Sequence, residues 1–449
     1  MLAASYMAAT VVLMDMTTVN IALPAISQEF GIDLSTVSWL LLVSMLTSSS
    51  VALVAGKFID LFEPRKLFII GFSAFGSLTF LSFLVKDVYL IIAIRFLQGF
   101  AEALIYVIGP ALIRRYLPRE KQQSAHGIWM MCTGIGISMG PLLGGLLVNH
   151  FSWNWVFLVN VPLTFLGLLF ALKMKKLGTG NNNEDKADFD RAGAVLSFVF
   201  LSGLIYGLNT LGRKSELSWN VVLPLLLSGI ALLLFIHREK EQQNPVFDFR
   251  LFGIRQFLLS NSGFFLFFLV NVGSRFLRPF YFEEVQGLTS TESGMLMTVS
   301  PLLMMVVSPL AKYLSDKSRP ALIFVGGNLF LAVSMFMFAS WDAGTSVYFL
   351  VFSMIVLGIG MGLFYPTSSY IGMLSLPEGK QGMGSAAIST SKSLGKLSGV
   401  LLFGLIFTFF VPESFVAELQ INAFQNTFLA GGFIAVISLF LSLRILKIK

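Results

Sequence analysis

The sequence predicts an all-α integral membrane protein: fourteen transmembrane helices, arranged as two six-helix bundles with a two-helix insert between them. Three observations carry this. Hydrophobic residues make up 55% of the chain and charged residues only 12%, with Phe alone present 45 times. Ordinary soluble domains carry about 25% charged residues, so this chain could not cover its own core in water, and its solvent is lipid. The apolar residues fall into long runs, and a helix needs roughly 20 of them to cross the hydrocarbon. Lys and Arg gather in alternate connections, as they do on the cytoplasmic side of a membrane.

Six runs lie near residues 4–27, 35–58, 67–85, 88–112, 123–148 and 152–172. The first is too long for a signal-peptide core and lacks a small-residue cleavage site, so it reads as a retained helix. The sixth opens on "SWNWVFLVNVP" (152–162), whose two tryptophans suit an interface anchor. The polar "KMKKLGTGNNNEDKADFDR" precedes runs at 192–211 and 219–236. After "HREKEQQNPVFDFR" come six more, at 256–281, 293–311, 320–340, 345–371, 388–411 and 424–443. The expected domains are an N-terminal bundle (1–175), a linker with the insert (176–252) and a C-terminal bundle (253–449).

With the N-terminus inside, even-numbered connections hold groups such as Lys57, Arg65 and Lys66, then Arg114, Arg115, Arg119 and Lys121, and later Lys312, Lys317 and Arg319. Odd-numbered ones hold only Lys86, Arg213 and Lys214. Both termini, and the segment around Asn181–Asn183, are therefore expected in the cytoplasm. The net charge of +7 is a topology signal and calls for no nucleic-acid partner. Cys132 is the single cysteine, so no intrachain disulfide forms. His126, His150 and His237 are scattered at span ends and suggest no metal site. No G-x-x-x-x-G-K-[ST] loop is present to bind ATP phosphates, and no nucleophile–base set stands out. Neither an enzyme nor a cofactor is expected.

"GKFIDLFEPRK" (56–66) follows the second run and "KYLSDKSRP" (312–320) the tenth. Each ends a helix with an acid, Asp60 or Asp316, inside a basic loop. One such loop is a short positive-inside turn. Two at matching positions suggest duplicated six-helix halves, a transporter architecture with its substrate site near the midplane, in which Asp60 and Asp316 would act in gating. In "GIGISMGPLLGG" (134–145), Gly136, Gly140 and Gly144 stand four residues apart, a spacing that admits close approach of another helix. Pro141 cannot donate to the carbonyl of Ile137, so a kink is expected there.

Charges inside the spans are few. Asp15, in "MDMTTVNIALP" (14–24), is the only charged residue between Leu2 and Ile26. A carboxylate at mid-membrane costs about 2.5–3.5 kcal/mol or more, and such groups are usually functional. At 1.5 Å per residue Asp15 lies roughly 16 Å deep, and Arg95, in "RFLQG" (95–99), about 12 Å from the opposite side. The two can meet. Glu102, two turns beyond Arg95, faces the same way. Asp15, Arg95 and Glu102 thus form a candidate proton-coupling track, because burial favours the neutral form of a carboxyl and brings its proton exchange towards neutral pH. A structural buried ion pair is the plainer alternative, and for Glu102 a polar vestibule wall.

Candidate substrate-binding residues are Glu102, Asn20, Gln98, Asn271, Phe268 and Tyr365, near Phe264, Met297 and Met304. Flexible Met surfaces suit varied ligands, and cations rest on aromatic faces. In so Phe-rich a chain, however, such a stripe is more often lipid-facing or core. Lys392 and Lys396 are expected to snorkel to the cytoplasmic surface. Arg275 and Arg278 are expected to pair with Glu283 and Glu284.

The stretches "DMTTVNIALP", "RFLQG", "GPLLGG" and "WNWVFLVNVP" resemble the fourteen-helix drug:proton antiporter family of the major facilitator superfamily, of the bacterial multidrug exporter type. The resemblance covers essentially the whole chain. It implies a monomeric exporter in the bacterial cytoplasmic membrane that exchanges protons for small lipophilic, cationic drugs or dyes by alternating access, without a cofactor. "GPLLGG" is similar to the motif that marks exporters. The loop after the second span departs from the family: Leu61, Glu63 and Pro64 stand where Arg, Gly and Arg are usual, while Asp60 is kept. Some relatives carry acids in the thirteenth span and this chain has none, which puts its coupling acids in the N-terminal half. The alternatives are a proton-coupled transporter of an endogenous lipid or metabolite, and a non-transporting membrane receptor.

Overall fold

The structure is a computed structural model. It describes residues 1–175, 191–214, 218–241, 249–317, 319–374, 376, 381–411 and 417–446. These residues form helices and no strand. In order they are α1 (Leu2–Phe30), α2 (Leu34–Val37), α3 (Trp39–Leu61), α4 (Pro64–Leu84), α5 (Val88–Tyr116), α6 (Arg119–His150), α7 (Trp155–Leu158) and α8 (Asn160–Leu172). There follow α9 (Arg191–Lys214), α10 (Trp219–Glu241), α11 (Arg255–Phe280), α12 (Ser290–Lys317), α13 (Pro320–Ala339), α14 (Val347–Leu374), α15 (Gln381–Phe410) and α16 (Ala417–Leu446).

Thirteen helical stretches among the described residues are long and apolar enough to cross a membrane. α9 adds a shorter apolar stretch, Val195–Leu211, bounded by charged ends at Arg191 and at Arg213 and Lys214. The protein is therefore an all-helical membrane protein with about thirteen to fourteen apolar helices. Local chemistry sets several boundaries. α1 stops at Gly31, whose φ of 61° is the left-handed conformation a helix C-terminus favours. The Asp87 carboxylate caps α5 by accepting from the Leu90 amide at 2.9 Å. Pro64 and Pro320 sit in the first turns of α4 and α13, where no amide donor is needed.

The helices pack in a repeating scheme. α1 lies against α6, α3 against α5, and α4 against α8. Later in the chain, α11 lies against α15, α12 against α14, and α13 against α16. The two groups meet where α6 runs along α12 and where α3 runs along α15. α9 and α10 pack on each other, and α9 touches both α3 and α15. One amide pins α9 there: the Asn209 side chain donates to the Ser35 carbonyl and the Ser38 hydroxyl, each at 3.2 Å. It also accepts from Ser35 Oγ at 2.9 Å and Trp39 Nε1 at 3.0 Å.

The glycines of α6 bring two helices to backbone contact. A Cβ on Gly136 would overlap the Thr10 carbonyl, one on Gly140 the Thr17 hydroxyl, and one on Gly144 the Ile21 side chain. α1 can lie so close only because those side chains are missing. A second contact involves α12: a Cβ on Gly145 would strike the Ser290 carbonyl, and one on Gly294 the Pro141 carbonyl. α6 continues as one helix through Pro141. The side chains of Asp60 and Asp316 lie outside the described residues.

Candidate functional site

α1 and α5 carry the two charges of the predicted track, and the fold brings them together. The Arg95 guanidinium donates through Nη1 to Asp15 Oδ2 at 2.5 Å, with both side chains fully buried. Arg95 also donates to Gln98 Oε1 at 3.0 Å, to Ser44 Oγ at 3.1 Å and, through Nε, to the Leu40 carbonyl at 3.1 Å. The other Asp15 oxygen accepts from Gln98 Nε2 and from Asn160 Nδ2, each at 3.3 Å. Gln98 donates further to Thr79 Oγ1 at 3.1 Å. Five helices (α1, α3, α4, α5 and α8) thus converge on one carboxylate and one guanidinium. Buried charges are tolerated when paired and hydrogen-bonded in this way.

Glu102 lies 2% exposed on α5, within electrostatic reach of Arg95 and Asp15. Its Oε1 has no hydrogen-bond partner among the described residues. Asn160, Thr79 and Ser44 were not singled out from the sequence. Only the "LVNVP" context of Asn160 offered a signal there, since uncharged polar residues within spans are common.

The remaining candidates gather on α11, α14 and α15. Phe264, Phe268, Asn271 and Arg275 follow a four-three-four spacing and share one face of α11. Tyr365 packs on Phe268 with ring centroids 5.3 Å apart. Arg275 Nη2 donates to Asn271 Oδ1 at 3.1 Å and lies within hydrogen-bonding reach of the Tyr365 hydroxyl. Asn20 of α1 donates to the Arg275 carbonyl at 3.3 Å, tying this face to the first group of helices. Met297 and Met304 are buried on α12. Of the candidate substrate residues, Gln98 belongs to the Asp15 network, whereas Phe268, Asn271 and Tyr365 belong to this second cluster.

Two expectations are corrected. Lys392 and Lys396 do not reach for the cytoplasmic surface. The Lys392 ammonium lies over the rings of Phe264 and Phe268, 5.5 and 5.8 Å from their centroids, and that of Lys396 lies over Phe268 at 5.6 Å. α15 begins at Gln381, about three turns before Lys392, and the rings of α11 stand beside both ammonium groups. Arg275 and Arg278 likewise form no ion pair with Glu283 or Glu284 among the described residues. Arg278 donates to the Ser274 carbonyl at 3.2 Å and to Met354 Sδ at 3.0 Å, beneath the Phe338 ring. The π turn over Tyr281–Val285 carries the two glutamates past the arginine stripe.

A many-helix membrane protein with paired groups of helices and a charged pair buried midway along them has the architecture of a transporter. The chain belongs to the Major Facilitator Superfamily, whose pattern it matches over residues 6–400. It is similar to the riboflavin transporter RibZ of Clostridioides difficile, 27% identical over 88% of this chain and 85% of that protein. It is also similar to the multidrug efflux pump LfrA of Mycolicibacterium smegmatis, 26% identical over 88% of this chain and 78% of that one. Among solved structures, a proton-dependent oligopeptide transporter shares the fold with a TM-score of 0.70 at 17% identity, covering 99% of this chain and 98% of that chain. A bacterial homologue of the human lysosomal transporter Spinster does so with a TM-score of 0.68 at 15% identity, covering 99% and 97%.

Proposed function

We propose that this protein is a proton-coupled antiporter of the fourteen-helix drug:proton type, exporting lipophilic drugs or dyes from a bacterial cell by alternating access. The observation that carries this is the Asp15–Arg95 pair, buried at mid-membrane and braced by α1, α3, α4, α5 and α8. Coupling requires that the helices around this pair shift so that Asp15 can exchange a proton. Protonation of Asp15 releases Arg95, and Glu102, the second acid of the same track, passes or holds the proton. Residues 1–175 form one half and residues 253–449 the other, a division favoured by the recurring packing pairs. Of the two helices between them, α9 braces the α3–α15 seam and α10 packs behind it. Both termini are cytoplasmic, the transporting unit is a monomer, and Asp60 and Asp316 serve gating.

The similarity to RibZ favours a second reading within the same fold, export or import of an endogenous metabolite. Purified protein in liposomes tests the first reading. Addition of a transported dye should drive protons in the opposite direction, and a protonophore should abolish uphill dye movement. Dye accumulation that survives collapse of the proton gradient refutes proton coupling.

A further inference from the structure

The wall formed by α11, α14 and α15 has a charge that the coupling track does not explain. Those three helices contain no Asp or Glu, yet they carry Arg275, Lys392 and Lys396 within their membrane-spanning lengths. Intramembrane cations are costly and usually face the bundle interior, a water-filled cavity or an opposite charge. Arg275 has five donor hydrogens, and its side-chain neighbours among the described residues are the neutral Asn271 and Tyr365. Asn271 is fully buried with Oδ1 turned to Arg275, which leaves Nδ2 with no partner among the described residues. The Lys396 ammonium rests on Phe268 and is within electrostatic reach of Arg275. Tyr365 closes the group from α14, and Tyr106 of α5 approaches it from the other set of helices. Donors and positive charge therefore converge beside two aromatic faces, with no acceptor of matching charge on these helices.

We propose that this wall is the anion subsite of the transport cavity: Lys396, Arg275 and Asn271 Nδ2 hold a carboxylate or phosphate of the substrate, while Phe264, Phe268 and Tyr365 carry its planar apolar body. The inference rests on the transporter reading and extends it to the charge of the cargo, which bears an anionic group. Charge-assisted bonds to Arg and Lys are roughly twice as strong as neutral ones. Deleting one of them therefore leaves a defect large enough to measure.

Two dyes with one ring system form the probe pair, fluorescein as the anion and a cationic rhodamine ester as its counterpart. Equilibrium binding to the detergent-solubilised full chain is measured for each. Fluorescein should bind saturably and more tightly than the rhodamine. Lys396→Met should weaken fluorescein by about tenfold or more while leaving the rhodamine unchanged. Lys396→Arg should retain most of the affinity, and Lys312→Met, on the exposed end of α12, should have no effect. Arg275→Gln, checked for an unaltered melting temperature, should repeat the Lys396→Met result. Preferential binding of the rhodamine, or wild-type fluorescein affinity in both Lys396→Met and Arg275→Gln, overturns the proposal. Proton flux is read separately in liposomes: fluorescein binding without proton counterflow would end the antiporter reading and leave the anion subsite standing.

Discussion

At the scale of single residues, Asp15 is held by three side chains while it balances one buried guanidinium. Asp15→Asn keeps the volume and an acceptor but removes the charge and the exchangeable proton. Uphill efflux should fall to background while equilibrium dye binding persists, as read by proton-gradient-driven export beside a binding titration. Wild-type export with unchanged pH dependence would transfer the coupling role to Glu102. Arg95→Met removes the other partner and strands a carboxylate among Gln98 and Asn160. Breaking one side of a buried pair costs about 3–5 kcal/mol, so the purified variant should melt well below the parent. Asp15 and Arg95 were legible in the sequence because charge inside a span is expensive enough to demand a reason. Asn160, Thr79 and Ser44 were not: a neutral amide or hydroxyl within a span has many harmless placements, including back-bonding to its own helix, as Thr164 does to the Asn160 carbonyl.

At the scale of elements, α6 presents glycines to α1 on one side and, together with Gly294, to α12 on another. A leucine at Gly140 has nowhere to go, since even its first carbon meets Thr17. Overpacking of this kind costs about 1–3 kcal/mol. Gly140→Leu should reach the membrane in reduced amount and export no dye, with surface yield and efflux measured on the same cells. Normal export would show that the α1–α6 approach is irrelevant to transport. The four-residue glycine spacing was readable in advance, but its partner was not, because spacing states only that something comes close. The direction of Lys392 and Lys396 was misread for a related reason. Snorkelling depends on what lies beside the ammonium group, and the run of residues does not tell that the rings of Phe264 and Phe268 stand there.

At the scale of the whole molecule, the alternation of basic and non-basic connections predicts that both ends of the chain and the segment around Asn182 lie on the cytoplasmic side. Asn182 itself lies outside the described residues. A cysteine introduced there, in a Cys132→Ser background, should react with an impermeant maleimide only after the cells are opened. Labelling of intact cells would invert the orientation or break the span count. The number of helices was nearly readable from apolar runs alone, because lipid forces every crossing to be long and continuous. How the two groups meet was not readable, since that is decided by which glycines face which backbone. The seating of α9 by Asn209 was equally hidden: one amide gives no hint of the three residues it bridges.

The α6–α12 contact has a mechanical consequence. Where Gly145 meets Ser290 and Gly294 meets Pro141, main chain rests on main chain. Glycine and proline have no rotamer freedom to lose, so two helices rolling across that line disturb few side-chain wells and shed little ordered surface. Under the proposed alternating access, the joint would serve as a low-friction pivot between the two groups of helices. Resistance to the motion then falls on the bulkier contacts around it, and those set how steeply the turnover rate drops as the membrane cools.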